Sequence, residues 1–174
     1  MRIGACRDFL LDWPAIRPPI AIMKKLPHTH SCFVCGDANA AGLKLRFETD
    51  GRRVYTHFTP RPEHIGFRNV VHGGILSALL DEIMVWACMV VTKRAAYCAE
   101  LNVRFLKPVR PGDHLVTTAE LITNRRDRIY ETAGDLKNEA GDVVATATGK
   151  YMPAKKEETA NLLADVIGDT DFLR

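Results

Sequence analysis

From Gly74 to Thr92 the chain reads GILSALLDEIMVWACMVVT, with no proline and, after Gly74, no glycine. As a helix this stretch is about 28 Å long at 1.5 Å per residue. Its apolar residues are not confined to one stripe, and a helix that is apolar nearly all round is buried on nearly all sides. The rest of the chain must therefore supply a broad apolar surface to enclose it. Asp81 and Glu82 stand in the middle of this run, where an unpaired buried carboxylate is costly.

The flanking segments supply that surface as strands. GLKLRFET, residues 42–49, alternates Leu43, Leu45 and Phe47 with Lys44, Arg46 and Glu48, the period of a strand with one buried face. Asp50-Gly51 is a hairpin signal. VYTHFTP repeats the alternation with Val54, Thr56 and Phe58, and Pro60 and Pro62 end it. After the helix, AYCAELNVRFLKPV places Ala99, Leu101, Val103 and Phe105 on one face. HLVTTAELITNRR, RIYETAGDLKN and VVATATGKYM follow, with turn residues at Pro111-Gly112-Asp113 and Ala140-Gly141-Asp142. Hairpin turns between the later strands predict an antiparallel sheet. The expected fold class is α+β, an antiparallel sheet wrapped around one long central helix.

A length of 174 residues fits one domain. Residues 1–30 hold four prolines and little periodicity, and are expected to be a loosely ordered extension. Met23 is a fitting start for the domain, which is expected over 31–152. Residues 153–174 form a charged tail, with a short amphipathic helix expected over Thr159 to Ile167. A net charge of +3 is too small to suggest nucleic acid, though it suits a ligand carrying a few phosphates. No uninterrupted run of 18 apolar residues marks a membrane span. Five cysteines without a regular framework favour reduced thiols and a cytoplasmic location.

The neighbours of Asp81 at three and four residues are Ser77, Ala78, Met84 and Val85, a mostly apolar face. Two readings are open: an exposed interruption of the run, or an acid facing a ligand cleft. Glu82 lies about 100° further round the helix and is the alternative acid, otherwise an interface or ion-pair residue. Cys32 and Cys35 form a CxxC pair with no second Cys/His pair at suitable spacing. A structural zinc needs four ligands, so the pair reads as a structural turn and no metal is expected.

The segments VVHGGILSALLDE, with an acid nine positions after His72, and ELNVRFLKPVRPGD resemble the hotdog-fold acyl-CoA thioesterases of the PaaI type. CFVCGDANAAGLKLRF also looks like the opening of many members of that branch. The resemblance runs from about Cys32 to Met152. It implies a hotdog fold, side-by-side pairing through the strand after the helix, and active sites at that interface. It implies Asp81 as nucleophile or general base toward an acyl- or aryl-acyl-CoA thioester. Glycine at 73 and 74 leaves helix-start N–H groups open to a thioester oxygen, an oxyanion hole in physical terms. His72 would orient this loop or touch substrate. Lys107 and Arg110 are the candidates for the CoA phosphates; Arg104, Arg125, Arg126 and Arg128 read as solvated charges.

No cofactor is implied. The expected partners are the acyl-CoA substrate and a second copy of the chain, as a homodimer or dimer of dimers. The sequence departs from the family pattern at Gly66, where some members carry Asn. It departs again at Cys98, where members often carry Ser or Thr, and a thiol is the weaker hydrogen-bond partner.

Two rivals share the fold. His57-Phe58-Thr59-Pro60 faintly resembles the His-Phe-Pro-Gly of hotdog dehydratases. The helix glutamate those enzymes need would fall at Val71, so the spacing fails. A non-catalytic acyl-CoA-binding protein is the other rival. Against it stands the retained acid; for it stand the missing Asn and Ser/Thr. Trp86 or Phe67 is the side chain expected to fill the acyl pocket.

Overall fold

The computed structural model of the protein describes residues 23–173. The expected leader up to residue 22, and with it the choice of start, lies outside the described residues. In chain order the elements are β1 (Lys24–Lys25), β2 (His28–Thr29), β3 (Glu48–Thr49), β4 (Arg53–Phe58), β5 (Ile65–Phe67) and β6 (Val70–Val71). Then come α1 (Gly73–Thr92), β7 (Ala96–Phe105), β8 (Leu115–Arg125), β9 (Ile129–Asn138), β10 (Val143–Pro153), α2 (Lys156–Leu163) and β11 (Val166–Ile167).

Seven strands form one antiparallel sheet in the order β1-β3-β4-β8-β9-β10-β7. Helix α1 makes its contacts with β4, β7, β8, β9 and β10. Leu76, Leu79, Leu80, Ile83, Met84, Trp86, Ala87, Cys88 and Val90 of α1 are buried. By length and mean hydropathy α1 could cross a membrane; its enclosure by the sheet accounts for that composition. The helix ends at Lys93, which adopts φ 60° and returns its N–H to the Met89 carbonyl, a left-handed cap made without glycine.

The later strands match their expected spans, but not all are joined as hairpins. The turn at Pro111-Gly112-Asp113 does not pair its flanking strands. Strand β7 pairs with β10 at one edge, while β8 pairs with β4 and β9. The connection from β7 to β8 therefore spans the sheet. The expected face of β7 is broken too. Lys150 pairs with Glu100 and Tyr151 with Cys98, so Ala99 is the extra residue of a bulge. Of the four residues expected to be covered on β7, Leu101 and Val103 are half-buried and Phe105 is 50% exposed. Residues 42–47 keep the predicted alternation, with Leu43, Leu45 and Phe47 buried. Only Glu48–Thr49 carries ladder bonds, and Lys44 sits at φ 60°.

The ordered unit extends beyond 31–152 on both sides. Strand β1 pairs with β3, and β2 pairs with β11. The tail helix runs Lys156–Leu163, and the chain then turns into β11 rather than continuing helical to 167. Asp165 accepts from the Ser31 amide at 3.0 Å and the Ser31 hydroxyl at 2.7 Å, and Leu173 is buried. These contacts predict that a chain ending at Ala154 melts roughly 2–8 °C lower, since one or two kcal/mol moves Tm by that much in a domain of this size. Scanning calorimetry reads the shift. An unchanged Tm would show that the tail adds nothing to the fold.

Candidate active site

Helix α1 is incompletely covered along one face, with Ile75 and Glu82 half-buried at its border. Ser77, Ala78, Asp81, Val85 and Met89, spaced by three or four residues, are half-buried, unlike the fully buried Leu79, Leu80 and Ile83. Asp81 thus lies on a mostly apolar, open strip of the core helix. Its carboxylate is held from the sheet side: Tyr151 on β10 donates its hydroxyl to Asp81 Oδ1 at 2.8 Å and to the Asp81 carbonyl at 3.1 Å. Tyr151 is fully buried. Its phenol is pushed well above the ordinary range by burial, then by the Asp81 charge and hydrogen bond, so it remains a donor. Gly149 makes this possible, because a Cβ there would come within 2.6 Å of the tyrosine ring.

Cys98 reaches the same carboxylate. The β7 bulge sets it opposite Tyr151, and burial followed by its hydrogen bond to Asp81 pushes its thiol up to about 11. Asp81, Tyr151 and Cys98 therefore form one cluster. Sequence reasoning picked the acid and the thiol and missed Tyr151. The available signal was Gly149 inside a strand, which marks a close approach.

The helix start is capped by its own histidine. His72 is the N-cap of α1, and its Nδ1 accepts the Gly74 N–H at 2.8 Å. That use removes the Gly74 N–H as a ready oxyanion donor and gives His72 a structural task. The Gly73 N–H lies in the first turn, where no intrahelical acceptor exists. A Cβ at Gly73 would meet the Phe105 ring at 3.1 Å. Eight residues separate Gly73 from Asp81 along one unbroken helix, which is about 12 Å. Within one chain, the acid and the helix start cannot touch the same carbonyl group.

Lys107 and Arg110 lie in the connection beside the helix start, where the Val71 amide donates to the Val109 carbonyl at 2.8 Å. The Lys107 ammonium is 2.9 Å from Asp142, an exposed pair open to competition. The Arg110 amide donates to Asp113 Oδ2 at 2.8 Å. A surface hollow lined by His57, Thr59, His114 and Asn138 lies at the opposite end of the strands from Tyr151 and Asp81. Of the two side chains expected to fill an acyl pocket, Trp86 is buried in the core and Phe67 is 84% exposed.

Glu82, about 100° further round α1 than Asp81, meets the CFVCG loop. Cys35 donates to Glu82 Oε1 at 3.3 Å, Cys32 to Oε2 at 3.7 Å, and the Trp86 indole to Oε1 at 3.1 Å. Burial is the main cause, with the Cys32 charge second, that raises the Glu82 carboxyl to about 7. The hydrogen bond from Cys35 brings Cys32 down to about 5, and the same bond, with burial, raises Cys35. Glu82 is thus engaged by this loop and by Trp86, and the CxxC pair is not merely a turn.

Residues 68–145 match the family model of the thioesterase superfamily. Among solved structures, the E. coli PaaI protein of the phenylacetic acid degradation operon is similar, at 24% identity over 68% of this chain and 86% of that one, with a TM-score of 0.61. A thioesterase superfamily protein is 28% identical over 71% of this chain and 60% of that one, with a TM-score of 0.63. A Streptococcus mutans protein bound to acetyl-CoA is 20% identical over 60% of this chain and 82% of that one, with a TM-score of 0.56. No curated protein matches the sequence. The chain has the hotdog fold and is similar to the thioesterase superfamily over residues 68–145, in agreement with the PaaI-type resemblance of VVHGGILSALLDE.

Tyr151→Phe keeps the ring and removes the donor to Asp81. It should lower the unfolding free energy by about 1–3 kcal/mol, the usual range for a hydrogen bond to a charged group. The urea midpoint at unchanged m-value reads this. An unchanged midpoint would mean that the carboxylate is not held by the phenol.

Proposed function

We propose that the protein hydrolyses the thioester of an acyl- or aryl-acyl-CoA in the cytoplasm, with Asp81 as the reacting acid. The observation that carries this reading is the Asp81 carboxylate, oriented by Tyr151 on the open apolar stripe of α1. Ser77, Ala78, Val85 and Met89 give the acyl group an apolar bed beside that acid. Acetyl-CoA bound to a neighbour of the same fold supports the choice of a CoA thioester.

In the general-base form, Asp81 accepts a proton from water while the oxygen adds to the thioester carbon. The carbonyl oxygen becomes an oxyanion, an N–H donor stabilises it, the C–S bond breaks, and the thiolate takes up the proton. In the nucleophilic form, the carboxylate itself attacks the thioester carbon, and the C–S bond breaks to release the CoA thiolate. Water then hydrolyses the resulting mixed anhydride to the free acid and the Asp81 carboxylate, with a proton from that water passing to the thiolate. Lys107 and Arg110, beside the helix start, are proposed to meet the CoA phosphates.

The oxyanion donor must come from a second copy, since Gly73 of the same chain lies about 12 Å from Asp81 along the helix. The edge strand β7 has β10 on one side and, among the described strands, none on the other, so it can pair with its own copy across a two-fold axis. Exposed Phe105, Leu106 and Tyr97 lie on or next to that edge. We propose a homodimer, or a dimer of dimers, with Gly73 of one protomer serving Asp81 of its partner.

Asp81→Asn keeps the shape and removes the basicity. Its kcat toward acyl-CoA should fall by about 10² or more, with KM little changed. Full activity in Asp81→Asn would overturn the assignment, and loss of activity in Glu82→Gln alone would move the role to Glu82. Enoyl-CoA hydration without thiol release would point to the hydratase reading.

The two-chain site is tested by mixing. Gly73→Pro removes the N–H at the first helical position, where proline is tolerated, and His72 is already extended as a pre-proline residue must be. Each variant alone should be inactive. Co-refolded Gly73→Pro and Asp81→Asn chains should regain about a quarter of the wild-type sites, because half of the dimers are mixed and each has one intact site. No recovery in mixed dimers verified by mass, or a wild-type monomer that hydrolyses thioesters in sedimentation-controlled assays, would overturn the shared site.

A further inference from the structure

We propose that Cys32, Cys35 and Glu82 form a binding site for a soft divalent cation, zinc foremost, that fastens the CFVCG loop to α1. The two thiols come from a loop about fifty residues upstream of the carboxylate, yet all three donor groups lie within 4.8 Å of one another. The sulfur-to-oxygen separations are 3.3 and 3.7 Å. A tetrahedral ion with Zn–S near 2.3 Å and Zn–O near 2.0–2.2 Å holds its sulfur and oxygen ligands roughly 3.5 Å apart.

The loop already has the form of a metal knuckle. The Val34 amide donates to Cys32 Sγ at 3.2 Å, and the Gly36 amide donates to the Cys32 carbonyl at 2.9 Å. A Cβ at position 36 would lie 2.4 Å from that carbonyl oxygen, so this tight reversal needs the glycine of CFVCG. A sulfur that accepts a backbone N–H is prepared to act as a thiolate ligand.

The charge arrangement also calls for a cation. The partners of the Glu82 carboxylate are two thiols and an indole. Among the described residues, no Lys, Arg or His is paired with it. Binding of a divalent ion takes both sulfurs as thiolates, sends to solvent whatever protons the three ligands still hold, and sets a charge of +2 against two thiolates and one carboxylate. Arg46, which donates to the Cys35 carbonyl at 2.9 Å, and Lys44, which donates to the Gly36 carbonyl at 3.0 Å, place positive charge behind the loop. Thiolate ligands select zinc over magnesium or calcium. Cys32 is half-buried, which leaves water a route to the fourth position.

The site has a positioning role. Glu82 is the residue after Asp81, so an ion clamped to Glu82 fixes the rotation of α1 that aims Asp81 along the open stripe. The competing use of the same two sulfurs is a reversible Cys32–Cys35 disulfide, and the test separates the two.

Full-length protein, reduced and freed of metal on a chelating resin, is titrated with Co²⁺ and then Zn²⁺. We expect a sulfur-to-cobalt charge-transfer absorption that saturates at about one equivalent per chain and is displaced by zinc. The Cys32→Ser/Cys35→Ser protein should lack the band. Glu82→Gln should bind at least roughly tenfold more weakly, the smallest loss seen even for groups that only support a ligand. If these variants fail to fold, the wild-type titration decides alone. No band and no zinc uptake by the reduced wild type overturns the proposal. So does a band that persists in the double-serine protein, or a freshly isolated chain two hydrogens lighter that takes up no metal after reduction. None of these readouts depends on thioester hydrolysis.

Discussion

The enclosure of α1 by a single curved sheet governs everything else in this molecule. A 20-residue helix with nine fully buried positions can be satisfied only by an apolar surface several strands wide. The sheet covers the helix on most sides and leaves one strip thin. Polar groups on such a helix have only two destinations: the thin strip, or a partner brought in from elsewhere in the chain. At about 100° per residue, consecutive residues cannot share one destination.

Asp81 and Glu82 show both outcomes at adjacent positions. Asp81 falls on the thin strip and keeps a route to solvent and ligand, with a buried tyrosine tethering it from the sheet. Glu82, about 100° further round, is met by a loop that brings two thiols, and it accepts from the Trp86 indole one turn on. On the readings proposed above, the same carboxylate chemistry serves reaction at Asp81 and ligation at Glu82. Helix rotation sets the difference, so whatever fixes Glu82 also fixes the aim of Asp81.

Local pattern made the elements legible and long-range pairing hid the rest. The helix and the strands β7 to β10 follow from periodicity, and the choice of Asp81 as candidate acid follows from one expensive charge. Periodicity does not say which strands are neighbours, so the β7-to-β8 turn passed for a hairpin although it spans the sheet. Tyr151 was invisible because its partner is seventy residues away; only Gly149 hinted at a crowded backbone. The CxxC pair was read without a third ligand for the same reason, since Glu82 joins it only in the folded chain. Gly74 looked like a free donor because the sequence cannot show that His72 bends back to take its N–H.

The rise of the helix constrains catalysis as firmly as its burial does. Loops can adjust to bring groups together, but Gly73 and Asp81 are joined by two rigid turns, and no rotamer closes about 12 Å. Under the proposed mechanism, each chain carries a donor end and an acid end that belong to different reaction centres. In the assembly proposed above, a copy related by a two-fold axis through the β7 edge runs its helix antiparallel to the first, which turns each donor end toward the other chain's acid. The same operation covers the thin strip on α1 and the exposed side chains along β7. On this reading, the incomplete burial of Ser77, Ala78, Val85 and Met89 is not a packing defect. It is half of a cleft whose other wall is a second copy of the chain.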